Sequence, residues 1–463
     1  MNNTLKIILA CALLLPIAGC GAEKKASVAG SDVITGAYDM TITGYDWGCG
    51  TDSIIMNLDY PLDTVSTDSF TVTEHKQATN FMAEGFPVEE VDVPRQVTNA
   101  YFVDESGNKT TEPSTRVKLE LYVSPNDGSP LLFSFSSMMN TWSHPYTLTV
   151  TKANNAKLTS KGTEVKDFTI SIDPASKTTS ADKFKLDTFK AKDGVTYQYA
   201  SYKPEGGSKK LVVWLHGLGE GGTDNTDPYV TLLANKAAVL GDESFQSTVG
   251  GANVLVPQCP TYWMDNDGKM TNFTGGGIQA DGTSHYLESL HELIAKYKEE
   301  TGSTKVVIAG CSNGGYMTML MALSYPTEYD AYVPICEALP NALITDEQVK
   351  TLADLKMYYV YSQDDTTVVP ELHEVPLLQR LEASGAKHTY ASVTEHVVDT
   401  TGTYYADVNV QPTLENTGKP YQYMGHWSWI YFFNNTCDAN GLKAWDFIAN
   451  AVKKILILDN NIA

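Results

Sequence analysis

The chain has 463 residues, more than a single domain usually contains, and its length therefore predicts two domains. Hydrophobic residues make up 42% and charged residues 19% of the sequence, a globular composition that supplies enough apolar side chains for full cores. With 33 basic and 55 acidic residues the net charge is −22. Such a surface repels phosphate backbones, so we expect no nucleic-acid partner.

The first residues have the pattern of an export signal. Lys6 provides positive charge, and an apolar run of 11 residues extends from Ile7 to Ile17. A membrane-spanning helix needs roughly 20 such residues, so residues 1–19 are predicted to be a signal peptide. The run ends in Ile-Ala-Gly-Cys, which resembles a bacterial lipobox with Cys20 as the lipidated residue. The sequence therefore predicts an extracytoplasmic lipoprotein, anchored to a bacterial membrane by its acyl chains alone. The alternative is an ordinary secretory signal with a chance cysteine.

Cysteine usage argues against a disulfide scaffold or a metal centre. Five cysteines remain beyond Cys20, an odd number without tight spacing, although one disulfide bridge stays possible. No Cys-x-x-Cys or His-Glu-x-x-His motif occurs, so we expect no catalytic metal and no cofactor.

After a linker over residues 20–31, residues 32–182 have an all-β pattern. Short alternating runs are separated by turn clusters rich in Gly, Asn, Asp, Ser and Pro. Strands at this spacing predict an immunoglobulin-like sandwich. No polar cluster here has catalytic spacing, so a spacer or binding module is expected. The predicted strands are Asp39–Thr43, Ser53–Leu58, Val117–Val123, Tyr146–Thr151 and Phe168–Ile172.

Residues 183–463 have a different pattern, in which apolar strands alternate with helices. An amphipathic helix is predicted over Ser284–Glu300, and Pro376 is predicted to open another helix. Continuous apolar strands between helices indicate a mainly parallel sheet covered on both faces, the α/β fold class. The predicted strands are Leu211–Leu215, Asn253–Val256, Lys305–Ala309, Ala331–Ile335 and Met357–Tyr361.

A nucleophile is predicted where one of these strands runs into Gly-Cys-Ser-Asn-Gly at residues 310–314. A strand, a Gly-x-Ser-x-Gly turn and a following helix together form a nucleophile elbow, which makes Ser312 the candidate nucleophile. The backbone N–H of Asn313 then becomes one donor of an oxyanion hole. The loop after the strand ending at Leu215 is predicted to supply the second donor, the N–H of Leu218. His216, in the same loop, is expected to brace it.

The acid and the base should follow in chain order. The strand ending at Tyr361 leads into two adjacent carboxylates, of which Asp365 is the preferred acid and Asp364 the alternative. Two histidines follow. His426 is preferred because it comes after a glycine and lies among tryptophans, whereas His396 ends a strand-like run and is expected to be structural.

The catalytic half resembles bacterial esterases and prolyl-oligopeptidase-related hydrolases. The front half resembles the immunoglobulin-like domain that precedes the catalytic domain of some bacterial carboxylesterases. The resemblance implies a catalytic triad of Ser312, Asp365 and His426. One departure is that 61 residues separate the acid from the histidine, more than in compact members. The shared motifs are Gly44–Gly48, Asp68–Val72, Leu215–Asn225, Pro257–Met264, Gly310–Met317 and Gly425–Trp429.

These features predict a serine carboxylesterase acting on a small-molecule or polysaccharide-linked ester. Trp263, Trp427 and Glu337 are candidates for lining its substrate pocket. Two alternatives stay open: a serine peptidase of the prolyl-oligopeptidase-related type, and a surface-anchored binding protein with a degenerate hydrolase domain. The complete set of candidate catalytic residues argues against the second alternative.

Overall fold

The computed structural model of the protein describes residues 29–80, 82–135, 137–222, 227–274 and 277–453. The predicted signal peptide and Cys20 lie outside these ranges, as do residues 223–226 of the loop that follows Leu215. Within the described ranges, no helix combines the length and apolar character needed to cross a membrane.

The front half is built from two antiparallel-rich sheets, as the alternating pattern predicts. One sheet has the order β13-β1-β2-β7-β5-β6, with β14 also paired to β1, and the other has the order β10-β3-β4. Alternate side chains of these strands are buried between the sheets, including Tyr38, Met40, Ile54 and Leu148. The strands are β1 (Val33–Tyr45), β2 (Gly48–Leu62), β3 (Phe70–Thr79), β4 (Val88–Arg95), β5 (Val97–Val103), β6 (Lys109–Thr110), β7 (Ser114–Leu121), β8 (Leu131–Ser134), β9 (Met139–Trp142), β10 (Tyr146–Lys152), β11 (Thr159–Ser160), β12 (Thr163–Glu164), β13 (Asp167–Ile170) and β14 (Ser176–Thr179).

The second half contains an eight-stranded sheet in the order β15-β16-β18-β17-β21-β22-β23-β24. Strand β16 pairs antiparallel with both of its neighbours, β15 and β18. All other neighbouring strands of this sheet pair parallel. The strands of this half, of which β19, β20, β25 and β26 lie outside the eight-stranded sheet, are β15 (Lys185–Lys190), β16 (Thr196–Tyr202), β17 (Lys210–Leu215), β18 (Asn253–Gln258), β19 (Phe273–Thr274), β20 (Gly277–Ile278), β21 (Lys305–Cys311), β22 (Ala331–Ile335), β23 (Met357–Ser362), β24 (Thr389–Thr394), β25 (Tyr405–Ala406) and β26 (Pro412–Thr413).

Helices cover both faces of this sheet, which explains why its central strands are apolar throughout. Alternate residues of β17 enter different cores. Val212 and Trp214 pack on the side of helix α8 (Ala444–Ala451), whereas Val213 and Leu215 pack on the side of helices α3 (Leu287–Thr301) and α4 (Asn313–Ser324). The helices are α1 (Tyr229–Leu233), α2 (Glu243–Val249), α3 (Leu287–Thr301), α4 (Asn313–Ser324), α5 (Asp346–Ala353), α6 (Glu374–Ala383), α7 (Trp429–Phe433) and α8 (Ala444–Ala451). Short 3-10 turns occur at Thr67–Ser69, Leu218–Glu220, Ala237–Gly241, Asn341–Leu343 and Pro370–Leu372.

The predicted fold class, an immunoglobulin-like sandwich followed by an α/β-hydrolase domain, is confirmed. Each predicted strand overlaps an observed one. The helix with Pro376 begins two residues before it, so the proline occupies the first turn, where a backbone N–H has no intrahelical acceptor. The last strand of the front sheets ends at Thr179 and the hydrolase sheet begins at Lys185, next to the predicted boundary at residue 183.

The two halves are packed together. The apolar core of the sandwich is continuous with the core on the α8 side of the hydrolase sheet. The segment between the two candidate histidines docks on the sandwich, where the Tyr404 hydroxyl donates to the Val123 carbonyl over 3.0 Å and the Asn126 side chain donates to Gln411 over 2.8 Å. The long separation of Asp365 from His426 therefore reflects an insert that contacts the front domain.

The five described cysteines are buried and free. The disulfide bridge that the sequence left open is therefore not formed among Cys49, Cys259, Cys311, Cys336 and Cys437.

Candidate active site

Strand β21 delivers Ser312 to the start of α4 through a strained turn. Ser312 has a φ of 54° and a ψ of −116°, a conformation that non-glycine residues rarely adopt. The turn is possible because its flanking glycines have no Cβ. A Cβ on Gly310 would lie 2.6 Å from the Gly314 carbonyl oxygen, and one on Gly314 would lie 2.1 Å from the Leu215 carbonyl oxygen. This is the geometry of a nucleophile elbow.

Ser312, His426 and Asp365 form a continuous hydrogen-bonded chain. The Ser312 Oγ lies 2.9 Å from His426 Nε2, and His426 Nδ1 lies 2.7 Å from Asp365 Oδ2. Because the carboxylate can only accept, Nδ1 carries the proton and Nε2 is free to accept from the serine hydroxyl. The other carboxylate oxygen, Asp365 Oδ1, accepts from the N–H groups of Thr367 and Val368. These contacts fix the acid, which fixes the imidazole.

The two residues held as alternatives pair with each other instead. Asp364 Oδ2 lies 2.8 Å from His396 Nδ1, and the Ser362 hydroxyl donates to Asp364 Oδ1 over 2.6 Å. The His396 side chain is 46% exposed, whereas that of His426 is 10% exposed. Asp364 raises the pKa of His396 by stabilising its charged form. Two adjacent carboxylates thus serve two different histidines, and only the second pair reaches Ser312.

The loop after β17 lies close to the serine. A Cβ on Gly217 would lie only 3.9 Å from Ser312 Cβ. Leu218 begins the short 3-10 turn that follows, and Asn313 is the first residue of α4. Within the part of the chain that the structure describes, the N–H groups of Leu218 and Asn313 donate to no other protein group. The two predicted oxyanion donors thus belong to the residue after Gly217 and the residue after Ser312, and neither is used in the backbone hydrogen bonds of the described residues.

His216 and Trp263 brace this arrangement. His216 Nε2 accepts from the Cys259 N–H over 2.9 Å, and its Nδ1 lies 2.6 Å from the Gly217 carbonyl oxygen. Burial lowers the pKa of His216 to about 4, so the ring is neutral. Trp263 donates its indole N–H to the His216 carbonyl, and its backbone N–H donates to the Asn313 side chain. His216 thus braces the loop, as the sequence predicted.

The pocket assignments need correction. Trp263 and Glu337 are fully buried, so neither presents a surface to substrate in this structure. Trp263 acts as the brace just described. Glu337 lies under the first turn of α4, where a Cβ on Gly315 would come within 2.8 Å of its Cα, and burial raises its pKa to about 8. Trp427 is half-buried and packs against Trp429, whose ring contacts His426 edge-on.

A cysteine lies close to the acid and the histidine. Cys336, Asp365 and His426 place potential metal-ligating atoms within 4.8 Å of one another. Burial raises the pKa of the Cys336 thiol well above its usual value, and both imidazole nitrogens already face Asp365 and Ser312. Since thiolate and a free imidazole nitrogen are what a metal requires, these groups fit a hydrogen-bonded triad better than a metal site.

Comparison with known proteins identifies the two halves. Residues 37–166 match the model of the esterase Ig-like N-terminal domain, and residues 200–407 match that of the phospholipase/carboxylesterase family. The second match includes Ser312 and Asp365 and ends before His426. The front half is therefore similar to the Ig-like domain of esterases, and the second half is similar to α/β-hydrolases of the carboxylesterase type. No curated protein matches the chain.

Solved structures include one extensive likeness. The chain is similar to a thermostable esterase, with a TM-score of 0.64 and 23% identity over 86% of this chain and 96% of that one. This likeness supports the two-domain fold. A ferulic acid esterase matches 46% of this chain and 90% of its own at 13% identity and a TM-score of 0.35. An acylaminoacyl peptidase of Pyrococcus horikoshii matches 60% of this chain and 48% of its own at 14% identity and a TM-score of 0.34. These two likenesses are too weak to indicate a substrate.

Proposed function

We propose that the protein hydrolyses carboxylic esters through an acyl-enzyme formed on Ser312. The observation that carries this proposal is the chain of hydrogen bonds from Ser312 Oγ through His426 to Asp365, with distances of 2.9 and 2.7 Å. His426 Nε2 takes the hydroxyl proton as Oγ attacks the ester carbonyl carbon, and then returns it to the leaving alcohol. Water repeats the sequence on the acyl-enzyme and releases the acid.

The negative charge that develops on the carbonyl oxygen needs fixed donors. The N–H groups of Leu218 and Asn313 are candidates for this role. Leu218 follows Gly217, which lies beside Ser312, and Asn313 follows Ser312 directly. Neither N–H donates to a backbone acceptor within the described residues. Asn313 N–H also lies at the N-terminus of α4, where the helix dipole favours negative charge. Asp365 stabilises the imidazolium that forms during each half of the reaction. The proposed chemistry needs no cofactor.

Esters are proposed as substrates in preference to peptides. Related peptidases bind the peptide through a propeller domain of several hundred residues. The described strands of the front domain here form a seven-stranded sheet, a three-stranded sheet and two short strand pairs, and they contain no blade repeat. An amide is also the harder bond, because its nitrogen must be protonated before it leaves. The substrate class is a small or polysaccharide-linked ester; the half-buried Trp427 near His426 suits an apolar or aromatic group.

We expect a far higher kcat/KM on p-nitrophenyl acetate or butyrate than on a proline-containing p-nitroanilide. Both chromogenic substrates release strongly absorbing aryl groups, so their rates can be measured in parallel on the same enzyme preparation. Equal or greater efficiency on the anilide would overturn the esterase proposal and favour the peptidase alternative, while leaving the serine-hydrolase chemistry in place.

We also propose that the protein is held at a bacterial membrane by a lipid on Cys20. The support is the sequence Ile-Ala-Gly-Cys after an apolar run of 11 residues, followed by polar Glu23 and Lys24. The Cys20→Ala variant should move from the membrane to the soluble fraction on cell fractionation, with its specific activity unchanged. A variant that stays fully membrane-bound would show that the anchor lies elsewhere.

A further inference from the structure

The Ig-like domain reaches the active site through one hairpin, formed by β8 and β9. A Cβ on Gly219, in the turn that carries the Leu218 N–H, would lie 2.8 Å from Asn140 Nδ2 and 3.9 Å from Phe133 Cε2. Phe133 and Asn140 are directly opposite each other in the hairpin. Two residues earlier in the loop, Gly217 lies against Ser312. The turn over residues 218–220 is therefore enclosed between the nucleophile and the front domain.

Glu220 lies against the backbone of the same turn. Its side chain is buried, and burial raises its pKa to about 7. A Cβ on Gly217 would lie 3.1 Å from Glu220 Oε2. The Gln258 side chain holds the Glu220 carbonyl oxygen over 3.1 Å. Glu220 and Asn140 therefore contact the turn at Gly217 and Gly219, the residues on either side of Leu218.

The same hairpin also contacts Asp227, further along the chain between β17 and α1. The Trp142 indole N–H donates to Asp227 Oδ2 over 2.5 Å, and Asp227 Oδ1 accepts the N–H of Tyr229 at the start of α1. The front domain therefore contacts the segment at Gly219 and again at Asp227. A loop that must hold an N–H within a few tenths of an ångström of a developing oxyanion needs such support, because loops position groups less precisely than helices and strands do.

We propose that the β8–β9 hairpin of the Ig-like domain positions the loop over residues 216–222, the oxyanion loop, with Asn140 as the positioning residue that contacts Gly219 next to the Leu218 N–H. This inference rests on the proposed function, since it concerns the donors of the oxyanion hole. It assigns a catalytic purpose to a domain that contributes no group to the triad.

The test compares Asn140→Ala with Asn126→Ala in the full chain. Both variants remove an asparagine side chain of the Ig-like domain that contacts the hydrolase domain, but Asn126 contacts Gln411 in the insert, away from the oxyanion loop. Loss of one oxyanion donor costs about 10²–10³ in kcat, and a misplaced donor should cost less, about 10-fold. We expect Asn140→Ala to lower kcat on p-nitrophenyl acetate by about that factor with KM nearly unchanged.

A transition-state analogue separates positioning from general destabilisation. An alkyl trifluoromethyl ketone adds to the serine and places an oxyanion in the hole, so its Ki should rise about 10-fold in Asn140→Ala, in step with the loss of kcat. The Tm should change no more than in Asn126→Ala. An unchanged Ki and kcat in Asn140→Ala, or equal losses in both variants, would overturn this inference. Failure of the proposed function would look different, because the wild-type enzyme would then show neither ester turnover nor ketone inhibition.

Discussion

Replacing Ser312 by alanine should abolish ester hydrolysis while leaving the fold intact. In the proposed mechanism the Ser312 Oγ forms the ester bond of the acyl-enzyme, and it is this oxygen that lies 2.9 Å from His426 Nε2. A triad serine accounts for about 10⁶-fold in kcat, with the remaining acceleration supplied by binding and the oxyanion hole. The kcat of Ser312→Ala on p-nitrophenyl butyrate, measured by steady-state kinetics, should therefore be about 10⁶-fold below that of the wild type.

Ser324→Ala is the matched control for this loss. Ser324 ends the same helix that Ser312 precedes, and its side chain is exposed. Its replacement should leave kcat and KM unchanged. The Ser312→Ala variant should also keep or slightly raise its Tm, because alanine removes a hydroxyl without creating a large cavity. Wild-type turnover in Ser312→Ala, measured on protein free of contaminating esterase, would refute the assignment.

His426→Ala should be nearly as damaging as the serine variant, because without the base the hydroxyl keeps its proton. Triad residues act as a unit, so removing the histidine alone costs about as much as removing the serine, about 10⁶-fold in kcat. The matched control is His396→Ala. That histidine has its own carboxylate partner, Asp364, at a similar distance but does not reach Ser312. Its replacement should leave kcat close to that of the wild type.

The acid can be separated in the same way. Asp365→Asn keeps the shape of the side chain but favours the wrong imidazole tautomer, and this change costs about 10⁴-fold in a serine triad. Asp364→Asn should have a much smaller effect. If His396→Ala or Asp364→Asn abolished activity while His426→Ala retained it, the pair of Asp364 and His396 would be the functional one and the proposed triad would be wrong.

Much of the fold could be predicted from the sequence because its signals are local. The central strands of the hydrolase sheet are continuous apolar runs, and the strand-turn-helix context of Ser312 is contained within about 20 residues. The order of the acid and histidine after the serine narrowed the choice to two residues of each type. The sequence favoured Asp365 and His426, but it gave no sign that Asp364 and His396 form a second pair, because the two carboxylates are adjacent and the histidines lie 32 and 61 residues away from their partners.

Long-range packing decides what the sequence left open or misjudged. Trp263 suggested a pocket because it is large and aromatic, but its contacts with His216 and Asn313 are made across 47 and 50 residues and bury it completely. Glu337 likewise follows a strand, as active-site residues often do, yet the close approach of Gly315 places it beneath α4. The contact of Asn140 with the oxyanion loop joins two domains, and no local pattern announces it.

Labelling with a fluorophosphonate tests the central claim most directly, because the reagent phosphonylates a serine only where a base and an oxyanion hole activate it. The wild-type protein should take up one label, and peptide mapping by mass spectrometry should place it on Ser312. The Ser312→Ala variant should take up none, whereas Ser324→Ala should be labelled as fast as the wild type. A label on any other serine, or an active esterase that takes up no label at all, would contradict the assignment of Ser312 as the nucleophile.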